Sequence, residues 1–319
     1  MQNSRKFIRD MKILNIYAVP RSGSSLVQNL IATNLKGYEA NPENWLAVQL
    51  FGPLKYPTYN FTGMESARVY TNTAFSHHLE KKLIQCYDEL LDQTSVSKKI
   101  VEKTTRNIYY HELISKSSHT NFNLVLLRHP FDIFLSHIDY FSQGRRYYFK
   151  TWLDLTRGLE IVWDLSQKDK NLVMLYENVT NNLNLEIDRA ANHLSEQKMF
   201  DNAKFVKLGT LNTVDANVDS KFKESKELIS VKKYKFQTAK VSLVDWIFFC
   251  ILIRKGTGAS KILKAHYYYK GVHWQLFKRI RYVGFTHFVH MLISLTVVTL
   301  GLKVLYKRLQ SSEILWMLR

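Results

Sequence analysis

Residues 20 to 27, Pro-Arg-Ser-Gly-Ser-Ser-Leu-Val, gather one arginine, three hydroxyls and a single glycine into a short turn. The apolar run Ile13 to Val19 before them reads as a buried strand. After them Leu26, Val27, Leu30, Ile31 and Leu35 share one face of a helix that Gly37 would stop. In a strand–turn–helix unit the N–H groups of the first helical turn point at whatever anion sits there. A nucleotide-triphosphatase loop would read G-x-x-x-x-G-K-[ST]. This one has only Gly23, no lysine before its hydroxyls, and Arg21 in front. The chemistry to expect is the holding of a phosphate-like group without the usual lysine and magnesium. The plainer alternative is an ordinary turn capped by Ser22 or Ser24.

A second such arrangement follows the apolar run Asn123 to Leu127. Arg128 closes that strand, Pro130 suits the start of a helix, Asp132 its first turn, and Ser136 falls on the second turn. A planar guanidinium fork beside a hydroxyl suits a phosphate. Two further stretches carry titratable groups: Glu102-Lys103-Thr104-Thr105-Arg106-Asn107, and Pro42-Glu43-Asn44-Trp45-Leu46 about 20 residues past the first loop.

With these four stretches in this order, residues 12 to 180 resemble the sulfotransferases that use 3′-phosphoadenosine-5′-phosphosulfate (PAPS), in their bacterial carbohydrate or Golgi-like form. The resemblance implies that Arg21, Ser22, Gly23, Ser24 and Ser25 hold the 5′-phosphosulfate, and that Arg128 and Ser136 hold the 3′-phosphate. It also implies that Lys103 touches the transferred sulfuryl oxygens. The Glu-Lys-Thr stretch is similar to an E-K-T-P-R-N motif, with Thr105 in place of the proline. Cytosolic members have a histidine base after Lys-Thr, and here Thr105 stands there. An acceptor hydroxyl still needs a base within hydrogen-bond reach. Glu43, in a stretch similar to P-E-P-W-L, is the expected base, with Glu39 and Glu102 as rival carboxylates. Glu102 is alternatively placed to pair with Arg106. His129 and His137 are expected to pack or cap. Asn171 to Asn178 resembles a late strand ending in Tyr-Glu-Asp/Asn, and Arg254-Lys255-Gly256 is taken as coincidence.

Strands are expected at about 13–19, 99–102, 123–127 and 171–176. Helices are expected at about 24–35, 75–93, 107–117, 131–142, 151–168 and 183–196. This alternation implies an α/β fold, a P-loop-like parallel sheet flanked by helices, with ligands at the carboxyl ends of its strands. Of 319 residues, 46% are hydrophobic and 13% aromatic, enough for a large core. The two cysteines, Cys86 and Cys250, give neither a disulfide framework nor metal spacing, and no His/Cys cluster of zinc type occurs, so no metal is expected.

Charge is uneven. The chain carries a net +18, and residues 231–319 hold 16 Lys/Arg against Asp245 and Glu313, a net +14. We therefore expect a core over 1–230 and a basic, mostly helical extension over 231–319. Apolar stretches at 241–253 and 285–306 alternate with basic residues (Lys278, Arg279, Arg281, Lys303, Lys307, Arg308) and with Tyr267 to Tyr269 and Trp274. That composition fits helices lying on an anionic membrane better than a solvated face, and no nucleic-acid-binding pattern accompanies it. The first 12 residues are polar, which favours a cytoplasmic protein, peripheral on the inner face of the membrane. The expected acceptor is a carbohydrate or glycolipid. Two rivals stand beside this reading: a P-loop-type kinase, which needs a lysine and an acidic magnesium ligand, and a membrane-binding sulfotransferase-like protein without catalysis.

Overall fold

Apolar runs only four to eight residues long, flanked by turn residues, make strands buried on both faces; amphipathic runs between them make the covering helices. The computed structural model describes residues 11–55, 73–95, 97–141, 154–203, 241–254, 256–267 and 280–281. In chain order the elements begin with β1 (Lys12–Tyr17), α1 (Ser24–Asn34), β2 (Glu39–Ala40), α2 (Leu46–Lys55), α3 (Thr73–Thr94) and β3 (Lys99–Glu102). A 3₁₀ stretch (Thr105–Tyr110) runs into the single turn α4 (His111–Ile114), followed by β4 (Thr120–Leu127) and α5 (Pro130–Phe141). A π-helical turn (Asp154–Gly158) continues as α6 (Leu159–Ser166), then come β5 (Leu172–Leu175), α7 (Tyr176–Asn181) and α8 (Leu183–Leu194). The last elements are β6 (Val241–Ser242), α9 (Leu243–Leu252), α10 (Gly258–His266) and β7 (Ile280–Arg281).

The chain forms two compact units, the first from residues 1–18, 22–127 and 165–231, the second from 19–21, 128–164 and 232–319. The first unit holds a five-stranded, all-parallel sheet in the order β2-β3-β1-β4-β5. Lys12 of β1 lies opposite both Lys99 of β3 and Thr120 of β4, which puts the amino ends of the three central strands level. Ile13 to Tyr17 are all buried, as a strand covered on both faces must be. Asn15 among them donates its amide to Asn121 Oδ1 at 3.1 Å. Val27, Leu30 and Ile31 of α1 and Ile187, Ala190, Ala191 and Leu194 of α8 recur at helical spacing and join Leu14, Ile16, Leu124 and Leu126 in one apolar core.

The second unit is built around α5. His129 opens this helix: its carbonyl accepts from the N–H groups of Asp132 and Ile133, and its Nδ1 accepts from Phe131 N–H at 3.3 Å. Burial, helped by neighbouring Arg128, pushes the His129 pKa down to about 3, so the ring is a neutral acceptor there. The apolar stretch at 241–253 contains β6 and α9; Phe249 of α9 meets Phe131 edge-on at 4.4 Å, and Leu252 and Ile253 are also buried. Thr257 caps α10 by accepting from Ser260 N–H. At Gly258 a side chain would meet the backbone of Leu159 and Glu160 at about 2.5 Å, so the two helices touch backbone to backbone.

All four expected strands form. β2, with two residues, gave no periodic signal, and α2 and α7 were not expected as helices. The helix expected at 107–117 is a 3₁₀ stretch with one α turn, and the one at 151–168 opens as a π turn. The late strand ends at Leu175, so Tyr176, Glu177 and Asn178 begin a helix rather than close a strand. The apolar run at 285–306 and Lys278, Arg279, Lys303, Lys307 and Arg308 lie outside the described residues. Among the described residues no helix is long and apolar enough to cross a membrane.

Candidate functional site

The strand order changes direction between β1 and β4, the place in an open parallel sheet where ligands gather at carboxyl strand ends. The candidate residues leave the strands at those ends: Arg21 to Ser25 after β1, Lys103 after β3 and Arg128 after β4.

In the first unit, Ser22 is fully buried and Gly23 is the N-cap of α1, with φ 91° and no side chain capping the helix. The first intrahelical bond, Val27 N–H to Gly23 carbonyl, forms at 3.2 Å, so the N–H groups of Ser24, Ser25 and Leu26 precede the helical ladder. The N-cap position, where the plainer alternative put a serine, is held by Gly23 in a left-handed conformation that suits glycine. The ring of Tyr176 lies so close to Gly23 that a β-carbon there would collide with it. The glycine is therefore required twice, by its backbone and by its neighbour. Ser24 is buried and Ser25 exposed.

Glu43 and Lys103 meet in the same unit, Nζ to Oε2 at 3.3 Å, with the lysine side chain 9% exposed and the glutamate 23%. Glu102, by contrast, is buried and surrounded by neutral donors. Its Oε2 accepts from Asn41 at 2.6 Å and Asn44 at 3.4 Å, and its Oε1 from Thr104 at 2.8 Å and Asn107 at 3.5 Å. Burial raises its pKa to about 7, against the pull of Asn41, Thr104 and Lys103 and with a push from Glu43. The guanidinium of Arg106 stands 5.9 Å from the ring of Tyr109. Glu39, the third carboxylate, is exposed on β2.

In the second unit Arg21, Arg128 and Ser136 come together. Arg21 Nε donates to Ser136 Oγ at 3.3 Å, and Arg128 Nη1 donates to the Arg21 carbonyl at 2.9 Å. Arg21 has φ 70°, uncommon for a residue with a β-carbon and of the kind found where a site constrains the chain. His137 Nε2 sits 3.1 Å from the Pro20 carbonyl. The two histidines thus pack and cap as expected. Sequence reasoning missed Asn41, Gln28 and the packing of Tyr176 on Gly23. The only signal was the pair of amides, Asn41 and Asn44, flanking Glu43. A half-open cleft of about 350 Å³ in the first unit, lined among others by Tyr17, His111, Lys168 and Asn171, contains none of the candidate residues.

No family model matches the sequence, and no curated protein matches it. Among solved structures the chain is similar to the sulfotransferase domain from the curacin biosynthetic pathway (16% identity over 58% of this chain and 74% of that one, TM-score 0.34). It is similar to the sulfotransferase domain from the Synechococcus PCC 7002 olefin synthase (18%, 68% and 88%, TM-score 0.36). A third is a sulfotransferase from Alicyclobacillus acidocaldarius (15%, 59% and 82%, TM-score 0.39). Similarity at this level assigns no role to any residue of this chain.

Proposed function

We propose that this protein is a PAPS-dependent sulfotransferase acting on a hydroxyl of a carbohydrate or glycolipid. The observation that carries the reading is the start of α1: a left-handed glycine, no side-chain cap and an arginine-and-serine loop without lysine, at the carboxyl end of a central parallel strand. Such a helix start presents N–H donors to an anion, and its lack of the lysine argues against a nucleoside triphosphate. Arg21 to Ser25 would bind the 5′-phosphosulfate, and Arg128 and Ser136 the 3′-phosphate. Glu43 would take the acceptor proton while the acceptor oxygen forms a bond to sulfur. The bond from sulfur to the bridging oxygen breaks, and adenosine 3′,5′-bisphosphate leaves with the electron pair. Lys103 would offset charge on the sulfuryl oxygens.

The test is calorimetry. Adenosine 3′,5′-bisphosphate should bind without added metal, and Arg128→Ala should weaken it by roughly 1.5–3 kcal/mol, the range for a hydrogen bond to a charged group. Tight ATP binding that needs magnesium and ignores the 3′-phosphate would overturn the reading in favour of a kinase. We further propose that the basic segment 231–319 holds the protein on an anionic membrane at the cytoplasmic face, where a glycolipid acceptor would be met.

A further inference from the structure

Glu102 joins the segments that leave the neighbouring parallel strands β2 and β3 at their carboxyl ends. Its Oε2 faces Asn41 and Asn44, on the loop after β2, and its Oε1 faces Thr104 and Asn107, in the turn after β3. Asn41 is fixed from its other side as well. Its N–H donates to the Val101 carbonyl at 3.0 Å, and its own carbonyl accepts from Gln28 Nε2 at 2.7 Å, a nitrogen that also donates to Val101 at 2.8 Å. Gln28 lies on α1, one turn after the Gly23 loop. Glu43 therefore sits between two residues held by one buried carboxylate, and Lys103 is that carboxylate's neighbour in the chain.

We propose that Glu102 is a positioning residue whose buried carboxyl clamps loop 41–44 to the turn 103–107 and so holds Glu43 against Lys103. The proposal rests on the sulfotransferase reading only in naming Glu43 and Lys103 as the reacting pair.

The protonation state of the clamp decides when it holds. The titratable groups facing Glu102 are Lys103 beside it, Glu43 from the loop, Tyr17 from β1 and Tyr87 from α3. Both tyrosines have pKa values raised further above their ordinary value and stay neutral. Closed, Glu102 titrates at about 7, against 4.5 for an ordinary glutamate. Opening the loop to water returns it toward the ordinary value. The closed form thus binds the proton more tightly, and by linkage it is favoured at low pH and released as pH rises through about 7. Asn107 fits this sign. Its Oδ1 is buried with no hydrogen-bond partner, while its Nδ2 is 3.5 Å from Glu102 Oε1. With the amide turned over, Oδ1 would accept from a protonated Oε1–H.

The experiment is hydrogen exchange read by mass spectrometry on the full chain without nucleotide, from about pH 5.5 to about pH 8.5, with rates corrected for intrinsic exchange. The segment 41–46 is followed, with 12–17 of β1 as internal reference. In the wild type, protection of 41–46 should fall several-fold as pH rises through neutrality while the reference does not change. Glu102→Gln, a neutral isostere, should keep protection high and flat; Glu102→Ala should lower it at every pH. Wild-type protection independent of pH, or equal protection in Glu102→Ala, overturns the proposal. The wild-type series decides alone if a variant fails to fold. Because no nucleotide is present, failure of the clamp and failure of nucleotide binding are separate results.

Discussion

Glu43 is the carboxylate in this site with both a cationic neighbour and access to solvent, which is what a base receiving an acceptor proton needs. Glu43→Gln should leave adenosine 3′,5′-bisphosphate affinity nearly unchanged and lower turnover by roughly 10²–10⁴. Turnover would be read as sulfur-35 transfer from PAPS into a total lipid and polysaccharide extract. Unchanged transfer, with loss instead in Glu39→Gln, would remove Glu43 from the mechanism. Gly23 is the second residue to test. Alanine in its left-handed conformation costs about 1–2 kcal/mol before any encounter with Tyr176 is counted. Gly23→Ala should therefore lower stability in urea denaturation by at least that amount and weaken bisphosphate binding as the turn shifts. Glu43, Lys103, Arg128 and Ser136 were legible as candidates from residue types in order. The partners of Glu102 were not: Asn41 lies 61 residues away, and only strand register brings it there.

At the scale of elements, periodicity revealed what is long and apolar. β1, β3, β4 and β5 and helices α1, α3, α5 and α8 follow from it. β2 has two residues, too few to show alternation, and α7 starts directly where β5 stops, so the apolar run and the helix merge in the sequence. α9 and α10 show a packing detail that hydropathy does not contain. Gly258 lets α10 lie against the backbone at Glu160, and Lys261 reaches Glu160 at 3.7 Å. Gly258→Ala would insert a methyl group where the nearest backbone atom is 2.5 Å away. Overpacking of this kind costs roughly 1–3 kcal/mol, and urea denaturation should show it as a lower midpoint with an unchanged slope. An unaltered midpoint would mean that the two helices separate at no cost.

For the whole molecule the main asymmetry is charge, a net +14 of the chain's +18 on residues 231–319. It was plain in the sequence, whereas the division into two units was not. The second unit takes residues 128–164 together with 232–319, a grouping of segments about 70 residues apart that composition cannot display. Within that unit Phe249, Leu252 and Ile253 are committed to the interior, so membrane attraction would rest on basic residues rather than on this apolar stretch. Flotation with liposomes should then show binding that requires anionic lipid. It should weaken with salt, as the screening length falls to about 3 Å at 1 M. Binding to neutral vesicles that survives high salt would point to apolar insertion instead, and no binding would end the membrane proposal.

The contact between Tyr176 and Gly23 has a spectroscopic consequence. The α-hydrogens of Gly23 sit in the magnetic field of the tyrosine ring, so one of them should resonate away from the ordinary glycine range. The loop thus contains its own reporter. A single resolved glycine signal in the unliganded protein would register any anion that moves the turn relative to the ring, with no label, product or acceptor required.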